Sequence, residues 1–364
     1  MLNGIRIVEI EGLGPGPFAA MLLADLGADV ITVHRKGGAV TPGMPERSLL
    51  DRGKRSIALD LKDAADIATA RALIASADAL IEGFRPGVME KLGLGPTECH
   101  ALNPALVYGR MTGWGQDGPL SHAAGHDLNY ISLSGALWYG SAPGDAPQTP
   151  ATLVGDIGGG AMYLVTGLLA GLLNARATGQ GTVVDAAIYD GSAHMMNLLM
   201  SLGQTGSLSE TRGRSLLDGP HWSRTYSCAD GGHVTVQCLE PKFYALFLER
   251  LGLSDDPEFS QQFAPKLWPT LTARVAALFA TQPRDHWADL FLGTDACVAP
   301  VLSPQEAQHQ PMNAARRTWA VIDGTLQAAP APRFKDRDWQ PKPSPARGEH
   351  TAEILAELAQ PGTP

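Results

Sequence analysis

The chain has 364 residues, 44% of them apolar and 18% charged, so it is long enough for two domains and too apolar to be disordered. Its formal net charge of −9 argues against a general nucleic-acid-binding protein. No charged segment precedes an early apolar run, and the longest apolar run, 161–173, is too short to span a bilayer. Four widely spaced cysteines show no metal-ligand spacing. We therefore expect a cytoplasmic protein with no membrane span and no metal site.

The first half of the chain alternates apolar strands with helices. Strands are predicted at 5–10, 29–34, 56–61, 79–84, 106–111 and 182–188, and helices at 18–26, 64–76, 161–173 and 192–202. This alternation is typical of a parallel sheet with helices on both faces, so the sequence predicts an α/β fold.

The pattern changes in the second half, after a Gly-, Ser- and Arg-rich stretch. We assign 1–190 to a large domain and 191–222 to a linker helix and loop. A strand at 233–239 and helices at 243–251 and 271–279 predict a smaller α+β domain over 223–310, with a return linker at 311–327. A proline-rich tail and a helix at 351–358 complete the chain.

A glycine-rich loop at 12–16 follows the first predicted strand, where backbone N–H groups at a helix start can bind a phosphate. Its spacing is GxGxG, and Pro15 and Pro17 remove two N–H donors, so a turn that only packs is an equal alternative. The second strand ends in basic residues, which suits an NADP-type phosphate or the 3′-phosphate of coenzyme A. The nearby cations form either an anion site or a solvated face: Arg35, Lys36, Arg52, Lys54, Arg55 and Lys62.

Three further stretches contain candidate catalytic groups. In GHDLNY at 125–130, His126 is a natural proton carrier near neutral pH, although most histidine–acid pairs are structural. Asp156 precedes three glycines at the start of an apolar helix, where it is either a helix cap or part of a ligand site. Glu240 ends a strand before a proline, and on the sequence alone it is a strand terminator.

At these stretches the sequence resembles the family III coenzyme A transferases, the CaiB/BaiF-like superfamily, and specifically their α-methylacyl-CoA racemase branch. The motifs GHDLNYISLSG and TDACVAPVL are the most specific part of the resemblance. The matching segments follow in order over most of the chain: 12–21, 52–62, 81–95, 108–118, 125–134, 156–160, 181–190, 240–244 and 294–302.

The resemblance implies an interlocked homodimer in which each chain threads through its partner. The large domain would be Rossmann-like and completed by the C-terminal segment 328–364. Each active site would lie between the large domain of one subunit and the small domain of the other.

The resemblance also implies roles for individual residues. His126 and Asp156 would be the two proton carriers, Asp127 would lie close to the thioester oxygen, and Glu240 would come from the other subunit to pair with His126. The residues that would bind the substrate's coenzyme A part are Arg35, Leu59, Asp60, Leu61, Lys62, Gly83, Arg85, Lys91, Gly125, Asn129 and Tyr130.

The activity implied is inversion of the α-carbon of 2-methylacyl-CoA thioesters by 1,1-proton transfer through an enolate, with no cofactor. An α-hydrogen is only weakly acidic, so the reaction needs a positioned base and stabilisation of the enolate oxygen. The main alternative is a coenzyme A transferase in which Asp156 is the covalent nucleophile. An NADP-dependent oxidoreductase and a non-catalytic acyl-CoA-binding protein are further alternatives.

Overall fold

The computed structural model describes residues 1–37, 47–335, 338–340 and 342–360. Parts of the predicted large domain, at 38–46, 336–337, 341 and 361–364, lie outside the described residues. The chain divides into two compact units. The first comprises Met1–Ala136, Pro150–Met195 and Arg317–Pro364, and the second comprises Leu137–Thr149 and Met196–Arg316. Relative to the predicted bounds, the segment Leu137–Thr149 therefore lies with the smaller unit.

Six strands of the first unit form one sheet. They are β1 (Arg6–Ile10), β2 (Asp29–Arg35), β3 (Arg55–Leu59), β4 (Ala79–Glu82), β5 (Val107–Thr112) and β6 (Thr182–Ala187). Their order is β3-β2-β1-β4-β5-β6, and every neighbouring pair is parallel. This is the order of a doubly wound sheet, in which the direction of strand addition reverses between β1 and β4.

Helices cover both faces of this sheet. In chain order they are α1 (Pro15–Asp25), α2 (Ala64–Ala75), α3 (Val88–Lys91), α4 (Pro96–Leu102), α5 (Asp127–Leu133), α6 (Met162–Thr178) and α7 (Ile188–Met195), with a 3₁₀ turn at Leu49–Asp51 and a π-helix at Leu153–Ala161. Successive side chains of a strand face opposite sides. Ile7 therefore packs in the cluster that contains Leu23 of α1 and Leu164 of α6, whereas Val8 packs in the cluster that contains Leu73 of α2.

The predicted strands and helices of this unit are confirmed to within a few residues, with one exception. The helix predicted at 192–202 is wrong as a single element, because α7 begins directly after β6 and ends at Met195. A second short helix, α8 (Asn197–Gly203), follows it in the other unit.

The helical stretch Leu153–Thr178 is long and apolar enough to cross a membrane by length and composition, with 39% of its most apolar window buried. Core helices meet the same criterion. In this unit α6 packs closely on the sheet, since a side chain at Gly171 would place its Cβ 2.6 Å from Val107 of β5. That packing favours a core helix.

The second unit is a small α+β structure. Its elements, after α8, are β7 (Ser223–Ser227), β8 (His233–Gln237), α9 (Pro241–Leu251), α10 (Trp268–Phe279), α11 (Arg284–Phe291), β9 (Val298–Pro300), α12 (Pro304–Ala307) and α13 (Pro311–Arg316). The three strands form an antiparallel sheet in the order β7-β8-β9, which packs with helices on an aromatic core that includes Trp222, Phe247 and Phe279.

The chain then returns to the first unit. A hairpin of β10 (Trp319–Ile322) and β11 (Thr325–Ala328) occupies most of the predicted return linker. The final helix, α14 (Thr351–Ala359), packs through Ile354 in the core cluster of β2 and β3.

Arg52 joins this hairpin to α1 through a buried ion pair. Its guanidinium binds the Asp25 carboxylate with Nη2 at 2.6 Å from Oδ2, and it donates to the Ala328 carbonyl at 2.7 Å. The two charged side chains are only 5% and 8% exposed. Burial raises the pKa of Asp25, although Arg52 opposes that shift.

We expect Arg52→Ala to lower the free energy of unfolding by about 3–5 kcal/mol, because it leaves a buried carboxylate without its bidentate partner. Urea unfolding followed by circular dichroism measures the change. Arg274→Ala is the matched control, since it removes an ion pair with Asp256 on the surface and should cost far less. Equal losses in the two variants would contradict a special role for the buried pair.

Candidate active site

A cavity of about 780 Å³ opens at the carboxyl ends of the parallel strands in the first unit. Ile10 of β1, Arg35 of β2, Leu59 of β3 and Thr112 of β5 are the last residues of their strands, and all four line it. The strand order reverses between β1 and β4, and such a reversal leaves a crevice where ligands bind in doubly wound sheets. The glycine-rich loop 12–16 forms part of the wall.

The structure brings most of the predicted site residues together around this cavity. Those that line it are Arg35, Leu59, Asp60, Leu61, Lys62, Gly83, Gly125, His126, Tyr130 and Asp156. Arg85 and Lys91 are next in sequence to lining residues, Phe84 and Leu92. Burial and the charge of Asp156 raise the pKa of Tyr130, and Arg85 is near enough to oppose that shift.

The cations of the basic cluster near the N-terminus lie in different environments. Lys54 is fully buried, with its Nζ 2.7 Å from Glu9 Oε2, and Arg52 and Arg55 hold other parts of the fold together. Arg35 and Lys62 line the cavity. The solvated-face interpretation is wrong for Arg52 and Lys54, which are buried in ion pairs, and fits Lys36, whose side chain is 63% exposed. The anion-site interpretation stays a prediction for Arg35 and Lys62.

His126 immediately precedes α5 and is held by local hydrogen bonds. The His126 backbone N–H donates to Asn129 Oδ1 at 3.0 Å, and the Asn129 backbone N–H donates to the His126 carbonyl at 2.8 Å. The Tyr130 hydroxyl donates to the Gly125 carbonyl, and the Tyr130 and Trp114 rings are nearly perpendicular, with their centroids 4.7 Å apart. Asn129 thus shapes the turn that presents His126 to the cavity.

Asp156 lies inside the π-helix, a rare form that is frequent at functional sites. The Ile157 N–H donates to the carbonyl of Thr152, a residue with φ of 62°. The Asp156 side chain caps the start of no helix, so the helix-cap interpretation of this residue is wrong.

The glycines after Asp156 allow close packing between helices. A Cβ at Gly159 would lie 2.8 Å from the Ser192 backbone nitrogen, and one at Gly160 would lie 2.9 Å from Ile188 Cγ1. These are contacts with α7 that no larger residue permits. The glycines therefore allow the π-helix to pack against α7, and this packing positions Asp156 in the cavity wall.

Asp127 connects the two candidate proton carriers. Its carboxylate is buried and accepts the Asp156 N–H on Oδ1 at 2.8 Å and the Thr152 N–H on Oδ2 at 3.3 Å. Burial and then the charge of Asp127 raise the pKa of Asp156 to about 6, and the imidazole of His126 opposes that shift. The three side chains therefore form one electrostatically coupled group.

Glu240 belongs to the second unit. It is exposed and lies three residues after β8, directly before α9, where its carbonyl accepts the N–H groups of Phe243 and Tyr244 at 3.0 Å. Within the described residues, no group of three or more histidine, cysteine, aspartate or glutamate side chains is placed to hold a metal ion.

Sequence reasoning missed two charged residues of the cavity wall, Glu11 and Arg347. Glu11 follows the last residue of β1, and an acid at the carboxyl end of a parallel strand is a sequence signal for a ligand site. Arg347 has no local signal, because it lies in the proline-rich tail, 336 residues after Glu11.

The comparison with known proteins decides the family. The model of CoA-transferase family III matches residues 2–351. The chain belongs to this family. It is 40% identical over 363 residues to an α-methylacyl-CoA racemase of Mus musculus, covering 98% of this chain and 93% of that protein. It is also 40% identical over 362 residues to an α-methylacyl-CoA racemase of Homo sapiens, with the same coverage. A CAIB/BAIF family protein from Brucella suis has a similar structure, with a TM-score of 0.82, 27% identity and 98% of both chains covered.

We expect Asp127→Asn to lower the pKa of Asp156 from about 6 toward the ordinary value of 3.8, because the substitution removes a nearby negative charge. The pH titration of the Asp156 carboxyl carbon by NMR measures this shift. Asp190→Asn is a control, since Asp190 is not among the charges that act on Asp156. An unchanged midpoint in Asp127→Asn would show that burial alone raises the pKa.

Proposed function

We propose that this chain is a racemase that inverts the α-carbon of 2-methylacyl-CoA thioesters, with His126 and Asp156 as the two proton carriers. The observation that carries the proposal is that both side chains line one cavity and are electrostatically coupled there. The 40% identity to two α-methylacyl-CoA racemases supports the same activity.

The raised pKa of Asp156 suits a group that must both accept and donate a proton. An ordinary aspartate is too weak a base to remove an α-hydrogen and is almost fully ionised at neutral pH. A carboxyl with a pKa of about 6 is a stronger base and titrates near the range of an imidazole. Such a carboxyl can remove a proton in one direction of the reaction and return one in the other.

The proposed cycle begins with one carrier deprotonated and the other protonated. The base removes the α-hydrogen as a proton. The electron pair of the broken C–H bond then passes to the thioester carbonyl to form an enolate. The acid then returns a proton to the α-carbon from the opposite face and restores the thioester. The two carriers end with their protonation states exchanged, and solvent protons reset them.

We propose a positioning role for Asp127 in this scheme. Its carboxylate accepts two backbone N–H groups and would repel a negative enolate oxygen. If Asp127 lies close to the thioester oxygen, as the family resemblance implies, its backbone N–H is the group able to donate to that oxygen.

We also propose the interlocked homodimer, with Glu240 of the partner subunit orienting His126. Exposed apolar side chains on the first unit support an extensive interface with another chain. They include Leu128 and Leu133 of α5, Leu153, Leu173 of α6 and Val183 of β6. Val183 lies on an edge strand of the sheet, where backbone groups also need cover.

The remaining proposals follow from the chemistry. Proton transfer between two side chains needs neither a metal nor a redox cofactor, so we propose that coenzyme A is required only as part of the substrate. The acidic net charge argues against nucleic-acid binding. The cysteines of the chain are free thiols, which supports a cytoplasmic location without membrane attachment.

The second candidate function is coenzyme A transfer, because the family includes transferases and Asp156 lines the cavity. In that reaction the carboxylate would attack the thioester carbonyl, form a mixed anhydride and release the coenzyme A thiolate. His126 next to Asp127 favours the racemase, since an attacking carboxylate requires no partner base on the opposite face.

We expect Asp156→Asn and His126→Gln each to reduce inversion by at least about 10²-fold, because each variant lacks one proton carrier. Circular dichroism of the (2R)- and (2S)-thioesters follows inversion, and deuterium uptake from solvent follows α-proton exchange. In each variant, exchange should persist best for the enantiomer whose α-hydrogen faces the remaining base. Near-normal inversion in either variant would remove that residue from the mechanism.

We expect intact mass analysis of the wild-type protein with acyl-CoA to detect no acyl adduct on the protein. The thioester itself should take up deuterium at the α-carbon. Asp156 would carry the adduct in a transferase. An adduct that disappears in Asp156→Asn, without α-proton exchange in the wild type, would decide for the transferase.

A further inference from the structure

The C-terminal segment 342–360 lies along β3, which is an edge strand of the sheet. The Gly348 N–H donates to Ser56 Oγ at 2.7 Å and so fixes the segment beside the strand. Farther along, Arg55 of β3 binds Glu357 of α14, with Nη1 2.6 Å from Oε1. The segment is therefore fastened by contacts that lie away from the cavity.

Arg347 precedes Gly348 and lines the cavity. Its Nη1 and Nη2 donate to the two carboxylate oxygens of Glu11 at 2.6 and 2.8 Å. Glu11 Oε2 also accepts the backbone N–H of Arg35, at 2.8 Å. Burial acts to raise the pKa of Glu11, but these donors outweigh it and hold the pKa below its ordinary value. Glu11 thus fixes the orientation of Arg347 beside Arg35.

Among the residues that the structure describes, the acceptors around Arg347 leave some N–H donors of its guanidinium free. An arginine side chain has five N–H donors in a planar fork. Glu11 accepts two of them and the Arg35 carbonyl accepts a third at 3.5 Å. The side chain is 28% exposed. A planar donor group held rigidly in a cavity wall suits a phosphate oxygen.

The position of Arg347 along the sheet fits the phosphate end of a coenzyme A thioester. Neighbouring strands are about 4.8 Å apart, so the cavity runs roughly 19 Å from the end of β5 to the end of β3. Asp156 lies beside the loop after β1, since a Cβ at Gly14 would be 3.7 Å from its Oδ2. Lys62 follows β3 at the other end. Arg35 ends β2, the strand between β1 and β3, and Arg347 lies beside it. Both arginines are therefore between Asp156 and Lys62 along the sheet.

We propose that Arg347, brought into the cavity by the C-terminal segment, binds a phosphate group of the coenzyme A part of the substrate together with Arg35. This inference rests on the proposed use of a coenzyme A thioester. Glu11 is then a positioning residue, because it acts through the guanidinium that it holds. The C-terminal segment contributes to substrate binding as well as to the fold.

The test separates phosphate binding from simple attachment of the segment. Isothermal titration calorimetry measures the affinity of the full-length protein for coenzyme A, 3′-dephospho-coenzyme A and pantetheine. Arg347→Gln should weaken coenzyme A binding about 10–100-fold and leave pantetheine binding unchanged, because pantetheine has no phosphate. A loss retained with 3′-dephospho-coenzyme A assigns the contact to the pyrophosphate, and a loss that disappears assigns it to the 3′-phosphate.

Arg55→Gln is the matched control. It removes the ion pairs between β3 and α14 but lies outside the cavity lining, so coenzyme A affinity should change less than about twofold. Arg347→Lys tests the planar fork and should recover only part of the affinity. Equal losses in Arg55→Gln and Arg347→Gln, an equal loss for pantetheine, or full affinity in Arg347→Gln would overturn the proposal.

Calorimetry also keeps this proposal separate from the proposed function. Wild-type protein that binds coenzyme A but exchanges no α-proton would contradict the racemase and leave the Arg347 result valid. With an active racemase, Arg347→Gln should raise KM for the acyl-CoA with kcat within about twofold. The same variant should leave both constants unchanged for the acyl-pantetheine.

Discussion

The hydrogen bond between the Asp127 carboxylate and the Asp156 N–H is the interaction on which the site depends. Asp127 follows His126 directly, so one buried side chain ties the turn before α5 to the π-helix. A hydrogen bond to a charged acceptor is stronger than one between neutral groups. The two candidate proton carriers come from segments about 30 residues apart in sequence, and this contact joins those segments directly.

The same contact creates an electrostatic cost that the proposed chemistry uses. Burial and the Asp127 charge oppose ionisation of Asp156 and raise its pKa from 3.8 to about 6. Because the pKa is higher in the folded state than in the unfolded chain, this group favours folding below about pH 4 relative to higher pH. That contribution is lost as the pH rises through about 6. The protein thus gives up stability at neutral pH to hold a carboxyl that titrates there, as functional sites often do.

The sequence predicted the sheet well, because its buried strands are short apolar runs separated by helical spacing. It grouped His126 and Asp156, which line one cavity, only through the family motifs, since their spacing alone left structural alternatives open. The π-helix around Asp156 was not predictable, because it depends on the contact of Gly159 with α7, which lies about 30 residues later. Helix α5 was missed because its seven residues are too few to show a helical period. Arg347 was missed because its partner Glu11 is at the opposite end of the chain.

The strand order separates the proposed chemistry from the proposed binding of the coenzyme. The ends of β1, β4 and β5 lie near the proton carriers, and the ends of β2 and β3 provide the cationic groups Arg35 and Lys62. If coenzyme A binds along β2 and β3, its position is independent of the acyl group, because every substrate shares that part. Changes in the 125–134 segment could then alter the reaction without disturbing coenzyme binding. One sheet would therefore serve both racemases and transferases, with the residue paired with Asp156 deciding whether a proton or an acyl group moves.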